Sequence, residues 1–554
     1  MRGRDVFMQS LVDHGVEHIF GNPGTTESPL LDALAAWPAI DYVCHLHEGL
    51  AVGAASYYAR ARTRTAVVSL HVAPGLGNGI GMIYNALKSQ APIVVTAGQQ
   101  DSRMQRREPI LGHDLAAMAA PVTKWSTEVR HADEMDEVLR RAFRIANAPP
   151  FGPVFVALPL DVMEQETANP ALAPGATYRE IAPEAAGVAA AVALLLEAKR
   201  PVIAVGDEPA RTGAVADLVR LAERLGAPVW AEGIRGHVSF PASHAQARGV
   251  LPFDAAAIRR AFEDADLVLL VGGDFFEEVW FTPGRPFPDG AKVVQLESSH
   301  RKLGWKHPAD VGVLGALGPS LRAIEAALAE EAGSDWQAAA EARRAALVER
   351  KAADAANYAA RLKKAWAREP VSMARVMAEL RKGTPADALV VEESITASVD
   401  FAANFQIDSP DLYLGARGGG IGQGVAGAIG AAIARPDQPV LCVSGDGSAM
   451  YSIQSLWTAA HRDLPIVFAI LANREYRVLK HNLDIYRERF DTGTTAGYPQ
   501  MDLGGPTLGF VELAAGMGVP GVRITKPDDV GPAIASAFEA GGPRLVEIVI
   551  EGKR

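Results

Sequence analysis

The 554-residue sequence predicts an α/β protein of three doubly wound domains, each a parallel sheet with helices on both faces. Three observations carry that expectation. Apolar runs of strand length alternate with helical periods along most of the chain, the pattern of parallel strands joined by crossover helices. The alternation breaks twice, at a Pro/Ala/Glu-rich stretch over 166–183 and at a glycine-free, Ala/Arg/Glu/Lys-rich stretch over 336–369. The length also exceeds what one hydrophobic core accommodates. The expected organisation is a first domain over 1–165, a linker over 166–183, a central domain over 184–335, a helical connector over 336–369 and a third domain over 370–554.

In chain order, the first domain's strands are expected at His18-Ile19-Phe20, Tyr42–Leu46, Ala66–Leu70, Pro92–Ala97 and Pro153–Leu158. The central domain's lie near Pro201–Val205, Pro228–Ala231, Leu267–Val271 and Val293–Leu296. The third domain's lie near Ala388–Val391, Val440–Val443, Ile466–Leu471 and Leu545–Ile550. The connector has strong helix formers throughout and no glycine, so it reads as a long helix or helix pair.

Composition narrows the function. Apolar residues make up 49% and charged residues 21%, ordinary for a folded enzyme. The formal charge of −11 and the lack of a Lys/Arg-rich block argue against a nucleic-acid surface. The two cysteines, Cys44 and Cys442, lie in apolar runs and are expected as buried free thiols in a reducing compartment. The N-terminus shows no signal-type apolar region and no 18-residue apolar run occurs, so a cytoplasmic protein without a membrane span is expected.

The chemistry concentrates in four stretches. In the third domain, the strand over Val440–Val443 stops at Gly445-Asp446-Gly447-Ser448, and the strand over Ile466–Leu471 ends at Ala472-Asn473. An acid and an amide thus stand at the carboxyl ends of two strands, the edge where open α/β sheets bind ligands. Oxygen donors of this kind suit Mg²⁺ or Ca²⁺, and Ser448 with the helix-opening amides suits a phosphate. In the first domain, Phe20-Gly21-Asn22-Pro23-Gly24-Thr25-Thr26-Glu27 forms a sharp turn into a helix, with a threonine as cap and Glu27 in the first turn. Strand parity puts Glu48 at the end of a buried face, where its carboxyl is either in a structural ion pair or poised for proton transfer. His71 ends the third strand before a glycine-rich turn, a place for an acid/base or for a hydrogen-bonded bystander. No His spacing points to zinc. Gly422-Gln423-Gly424-Val425-Ala426-Gly427 is a literal GxGxxG with Asp446 about 20 residues on, which keeps an NAD-dependent dehydrogenase as a remote alternative.

Together these stretches resemble thiamine-diphosphate-dependent decarboxylases and carboligases, most of all the benzoylformate decarboxylase branch. The shared segments are FGNPGTTE, LHEGLAVGAASYYAR, LHVAPGLGNGIGM with PIVVTAGQQ, VTKWS and GDGSAMYSIQSLWTAA. The resemblance is dense in the first and third domains and thin in the central one. It implies that the first domain binds the cofactor's aminopyrimidine and the third its diphosphate through the metal. Glu48 would pair with the pyrimidine nitrogen and promote loss of the thiazolium proton. Asp446, Asn473 and the Glu475 carbonyl would hold the metal. Gly419 and Ile421 would cradle the pyrimidine, and Ser394, Gly445, Gly447, Ser448 and Tyr476 would lie along the cofactor. His71 matches one family histidine, and Thr25 stands for a family serine. The second histidine is replaced by Val279, unless Glu277 or Glu278 serves instead. Phe276, Val279, Trp280, Ile395, Val478 and Leu479 are expected to form an apolar substrate pocket. The resemblance further implies a homodimer or homotetramer with its sites at the subunit interface. No FAD is expected. The expected substrate is a small 2-keto acid, aldehyde or acyl compound. The expected reaction is 2-keto acid decarboxylation, with carboligation or cleavage of a 2-hydroxyacyl compound as the alternative.

Overall fold

A computed structural model describes residues 1–178, 180–368, 371–550 and 552. Arg179, inside the expected linker, and positions 369 and 370, where the connector is expected to give way to the third domain, lie outside the described residues. The chain forms two compact units, one of Met1–Ala176, Trp366–Asn404 and Leu414–Arg554, the other of Thr177–Ala365 and Phe405–Tyr413.

The first unit holds two six-stranded sheets. One comprises β1 (His18–Gly21), β2 (Asp41–Cys44), β3 (Ala66–His71), β4 (Ile93–Gln99), β5 (Ser126–Glu128) and β6 (Val154–Pro159), in the order β2-β1-β3-β4-β6-β5 and parallel throughout. The second unit holds β7 (Pro201–Val205), β8 (Val229–Ala231), β9 (Ala247–Val250), β10 (Leu267–Val271), β11 (Lys292–Glu297) and β12 (Val311–Leu314). These run parallel in the order β12-β11-β10-β7-β8-β9. The other sheet of the first unit comprises β13 (Leu389–Glu393), β14 (Tyr413–Gly415), β15 (Val440–Gly445), β16 (Ile466–Ala472), β17 (Gly521–Ile524) and β18 (Arg544–Val549), in the order β14-β13-β15-β16-β18-β17. Tyr413, the first residue of β14, is grouped with the second unit.

Six helices position the chemistry: α1 (Glu48–Arg62), α2 (Val72–Lys88), α3 (Ser334–Ala365), α4 (Gln423–Ala434), α5 (Asp446–Ala449) and α6 (Arg477–Arg489). The connector reading corresponds to α3, which is long and almost entirely exposed, with only Ala340 and Leu347 buried. In the first unit both sheets feed one core, in which Val68 and Phe155 join Val391 and Phe468. The seam is the crossing of α1 and α4. A β-carbon on Gly427 would lie 2.5 Å from the Tyr57 ring, and one on Gly430 would strike the Ala54 carbonyl. Glycine at both positions lets the two backbones approach closely. The central sheet has its own core, built around Ile203, Leu269 and Leu296.

In each sheet the strand order reverses beside the first strand, and ligands of open α/β sheets bind at such a point. In the first sheet the reversal lies between β1 and β3, where the turn after Gly21 meets His71. In the last it lies between β13 and β15, where Glu393 pairs with Ser444, two residues before Asp446.

Candidate active site

In the last sheet, Asp446 opens α5 and is buried. Its Oδ1 accepts from the Gly447 amide at 2.8 Å and its Oδ2 from the Arg474 amide at 2.6 Å. Asn473 follows β16 directly, and its Oδ1 accepts from the Glu475 amide at 3.1 Å. Arg474 between them takes a left-handed φ of 58°, which folds the turn back toward Asp446. Burial raises the Asp446 pKa, against the pull of the Arg474 and Gly447 amides. The donors are oxygen only, and among the described residues no group of three His, Cys, Asp or Glu gathers that could hold a metal ion. One carboxylate, one amide oxygen and a nearby carbonyl fit a hard cation that shares its remaining sites with phosphate oxygens. The Glu475 side chain is engaged elsewhere, paired with Arg477 at 2.8 Å and with the buried Lys480 at 2.6 Å. Lys480 also meets Asp502 at 2.6 Å, so the turn is pinned to α6. Tyr476 lays its ring against Gly447, where a β-carbon would be 2.5 Å away. Ser448 is buried beside them, and Gly445 caps α5.

The loop before α4 carries Gly419 and Ile421. Glu393, fully buried at the end of β13, holds its far end. Its Oε1 accepts from the amides of Gly422 at 2.8 Å and Gln423 at 3.3 Å, and its Oε2 from Gly424 at 2.8 Å. A carboxylate at a helix N-terminus is favourable. Burial nonetheless pushes Glu393 up to about 7, against the pull of those three amides. Ser394, next along, is tied to Glu392 by backbone amide and hydroxyl.

In the first sheet, Glu48 departs from its expected placement. The strand ends at Cys44, Leu46 is 48% exposed, and Glu48 is the first residue of α1. It is still buried, but a helix start sets it there and not strand parity. The His47 cap turns the chain, accepting from the Gly49 amide at 3.1 Å. Asn78 donates to Glu48 Oε2 at 3.0 Å, and Gly75 leaves room for the other oxygen. Cys44 is only half-buried, against expectation, because β2 is an edge strand; Cys442 is buried.

His71 ends β3 and caps α2. Its Nδ1 meets Glu27 Oε2 at 2.8 Å and Thr26 Oγ1 at 3.3 Å. Glu27 is almost wholly buried and also accepts from the amides of Gly24 at 3.0 Å and Gly98 at 2.9 Å. With Nδ1 bound to Glu27, Nε2 is the nitrogen left for other chemistry. Val72, the next residue, is fully buried at φ 42°, an uncommon strain for a β-branched residue and one that gathers at functional sites. Thr25 is exposed; the hydroxyl that reaches His71 belongs to Thr26.

The expected pocket residues divide. Ile395 and Leu479 are exposed beside the last sheet's ligand edge, with Val478 partly so. In the second unit, Val279 is 65% exposed and Trp280 partly buried. Phe276 instead packs within its own domain, with Phe287 and His307 rings each 5.6 Å away. It is partly buried there, against the core of its sheet. The GxGxxG also resolves as packing: Gly424 accommodates Glu393 and Gly427 accommodates Tyr57, which leaves no glycine cradle for a dinucleotide. Sequence reasoning missed Glu27 as the His71 partner, together with Asn78, Asn85, Glu393 and Lys480. Asn78 follows His71 by seven residues, a spacing that reads as one helix face; Glu393 and Lys480 carry no local signal.

Comparison with known proteins agrees with this geometry. The chain matches the family descriptions "Thiamine pyrophosphate enzyme" N-terminal TPP binding domain over residues 1–119, central domain over 188–324, and C-terminal TPP binding domain over 396–548. It is 32% identical over 560 residues to a benzoylformate decarboxylase of Pseudomonas aeruginosa, covering 97% of this chain and 96% of that protein. It is 28% identical over 570 residues to an acetolactate synthase isozyme 3 large subunit of Escherichia coli, covering 100% and 95%. A solved thiamine diphosphate-dependent 4-hydroxybenzoylformate decarboxylase of Rhodococcus jostii superposes with a TM-score of 0.85 at 28% identity, covering 100% of both chains. With cofactor-binding domains at both ends and relatives that match along its whole length, the chain belongs to the thiamine-diphosphate-dependent enzymes, in the family of decarboxylases and carboligases.

Proposed function

We propose that the protein decarboxylates a 2-keto acid, with thiamine diphosphate held through Mg²⁺ or Ca²⁺. The observation that carries this reading is the His71–Glu27 pair at the strand-order reversal of the first sheet, which presents a histidine nitrogen for proton transfer. When bound, the cofactor supplies the electron sink. The chain's own residues do the rest. Glu48, oriented by Asn78, would hold a proton toward a cofactor ring nitrogen. Asp446, Asn473 and the Glu475 carbonyl would hold the metal, while Gly445, Gly447, Ser448, Ser394 and Tyr476 would border the diphosphate. Gly419 and Ile421 cradle the pyrimidine. His71 Nε2 moves a proton at the substrate, and the exposed Thr25 is the proposed partner of its carboxyl group. Ile395, Val478 and Leu479 give the pocket an apolar wall. The active assembly is a homodimer or homotetramer, and the protein acts in the cytoplasm.

A second reading, carboligation or the reverse cleavage of a 2-hydroxyacyl compound, is favoured by Val279, which stands where the resemblance expects a second proton-donating histidine. Purified protein with thiamine diphosphate and Mg²⁺ is to be incubated with aromatic and aliphatic 2-keto acids, first alone and then with an added aldehyde. Release of CO₂ and free aldehyde from a keto acid alone supports decarboxylation. Turnover only of aldehyde pairs or 2-hydroxy ketones sinks it in favour of the second reading. Val279→His is expected to shift the product ratio toward free aldehyde.

A further inference from the structure

Helix α2 carries three polar groups seven residues apart. His71 caps it, Asn78 holds Glu48, and Asn85 sits two turns beyond. Seven residues fall about 20° short of two full turns and rise about 10.5 Å, so Asn78 and Asn85 share a face. Asn85 is buried and grips one residue of the loop before α4 at both ends. Its Nδ2 donates to the Gly420 carbonyl at 3.0 Å, and its Oδ1 accepts from the Gly420 amide at 3.1 Å. Gln423 closes the loop from the other side, donating to Gly420 O at 2.7 Å and Arg417 O at 2.8 Å.

The glycine triplet divides accordingly. A β-carbon on Gly418 or on Gly420 would lie 2.7 Å from an Asn85 amide atom, whereas one on Gly419 meets nothing within 4 Å. Two glycines serve the contact with Asn85 and the third is open to a ligand. We infer that Asn85 is a positioning residue that ties the Gly418–Ile421 loop to the helix carrying His71 and Asn78. This rests on the proposal that Gly419 and Ile421 hold the cofactor's pyrimidine. Only asparagine has the required shape. Aspartate lacks the donor and sets a carboxylate against a carbonyl, glutamine is one methylene too long, and alanine takes the acceptor from the Gly420 amide and leaves the Gly420 carbonyl to Gln423 alone.

The test compares Asn85→Ala and Asn85→Asp with the unaltered protein. Amide hydrogen exchange of residues 417–424 is to be measured without cofactor, and thiamine diphosphate binding with Mg²⁺ by calorimetry. Loop exchange is expected to quicken and cofactor affinity to weaken, each by roughly ten- to a hundredfold, while exchange in β15 stays unchanged. Asn85→Asp keeps the side-chain volume and carries the test if Asn85→Ala does not fold. Unaltered loop exchange, or faster exchange with unaltered affinity, overturns the inference. If the unaltered protein binds the cofactor without gaining protection over 417–424, the proposal for Gly419 and Ile421 fails and takes this inference with it.

Discussion

Replacing Glu27 by glutamine should cost both stability and turnover, because each carboxyl oxygen faces a backbone amide. Oε1 accepts from Gly98 at 2.9 Å and Oε2 from Gly24 at 3.0 Å, with the Thr26 hydroxyl and His71 Nδ1 as second donors on the two sides. A glutamine must turn its NH₂ toward one of those amides whichever way it flips. The variant therefore loses one charge-assisted bond and sets two donors against each other in a buried place. That amounts to roughly 3 kcal/mol, with a melting temperature lower by about 3 °C. If the amide faces His71, the ring also loses the acceptor that keeps Nδ1 protonated and Nε2 free, so kcat should fall by roughly a hundredfold. Differential scanning calorimetry of the cofactor-free protein and steady-state turnover read the two effects separately. Adding His71→Ala to Glu27→Gln should cost little further turnover, because the two residues act as a unit. A Glu27→Gln enzyme that melts and turns over like the unaltered protein refutes the role of the pair.

Three further outcomes are expected. Asp446→Ala should abolish metal-dependent cofactor binding in calorimetry while far-UV circular dichroism stays unchanged, and activity without added metal would contradict the site. Lys480→Met should destabilise by about 1–2 kcal/mol, since it leaves Arg477 as the one remaining cation on a Glu475 carboxyl that is 2% exposed; Lys480→Met with Glu475→Gln should recover part of that loss, as judged by denaturant titration. Glu393, raised from 4.5 to about 7 in the fold, contributes stability that is full below about pH 4.5 and lost as the pH rises through about 7, on the order of 3 kcal/mol. Melting curves across that window should therefore show a slope that Glu393→Gln removes.

The interior strands and the ligand edge were legible in the sequence for a simple reason. A strand buried on both faces must be apolar along its whole length, so β10 and β16 announce themselves as continuous runs. The five strands that were not anticipated, β5, β9, β12, β14 and β17, are all sheet edges. An edge strand is short and half-exposed, as in Gly521–Ile524, where three of four residues are exposed, and it leaves no apolar signature. Asp446 and Asn473 were readable because a strand end and a glycine turn fix them locally. Glu48 was chosen for the wrong local reason, since the turn at His47 that moves it from strand to helix depends on a cap bond that periodicity does not register.

What the sequence by itself determined is therefore the set of parallel sheets, the strand ends at which chemistry sits, and through its motifs the cofactor family. Tertiary structure alone decided who holds whom. Glu27 meets His71 across 44 positions, Glu393 meets Gly422 across 29, and Asn85 meets Gly420 across 335. A local pattern records the backbone state and burial of each residue. A hydrogen bond between strand ends that are distant in the chain is set only when the sheets have paired and the α1–α4 crossing has packed.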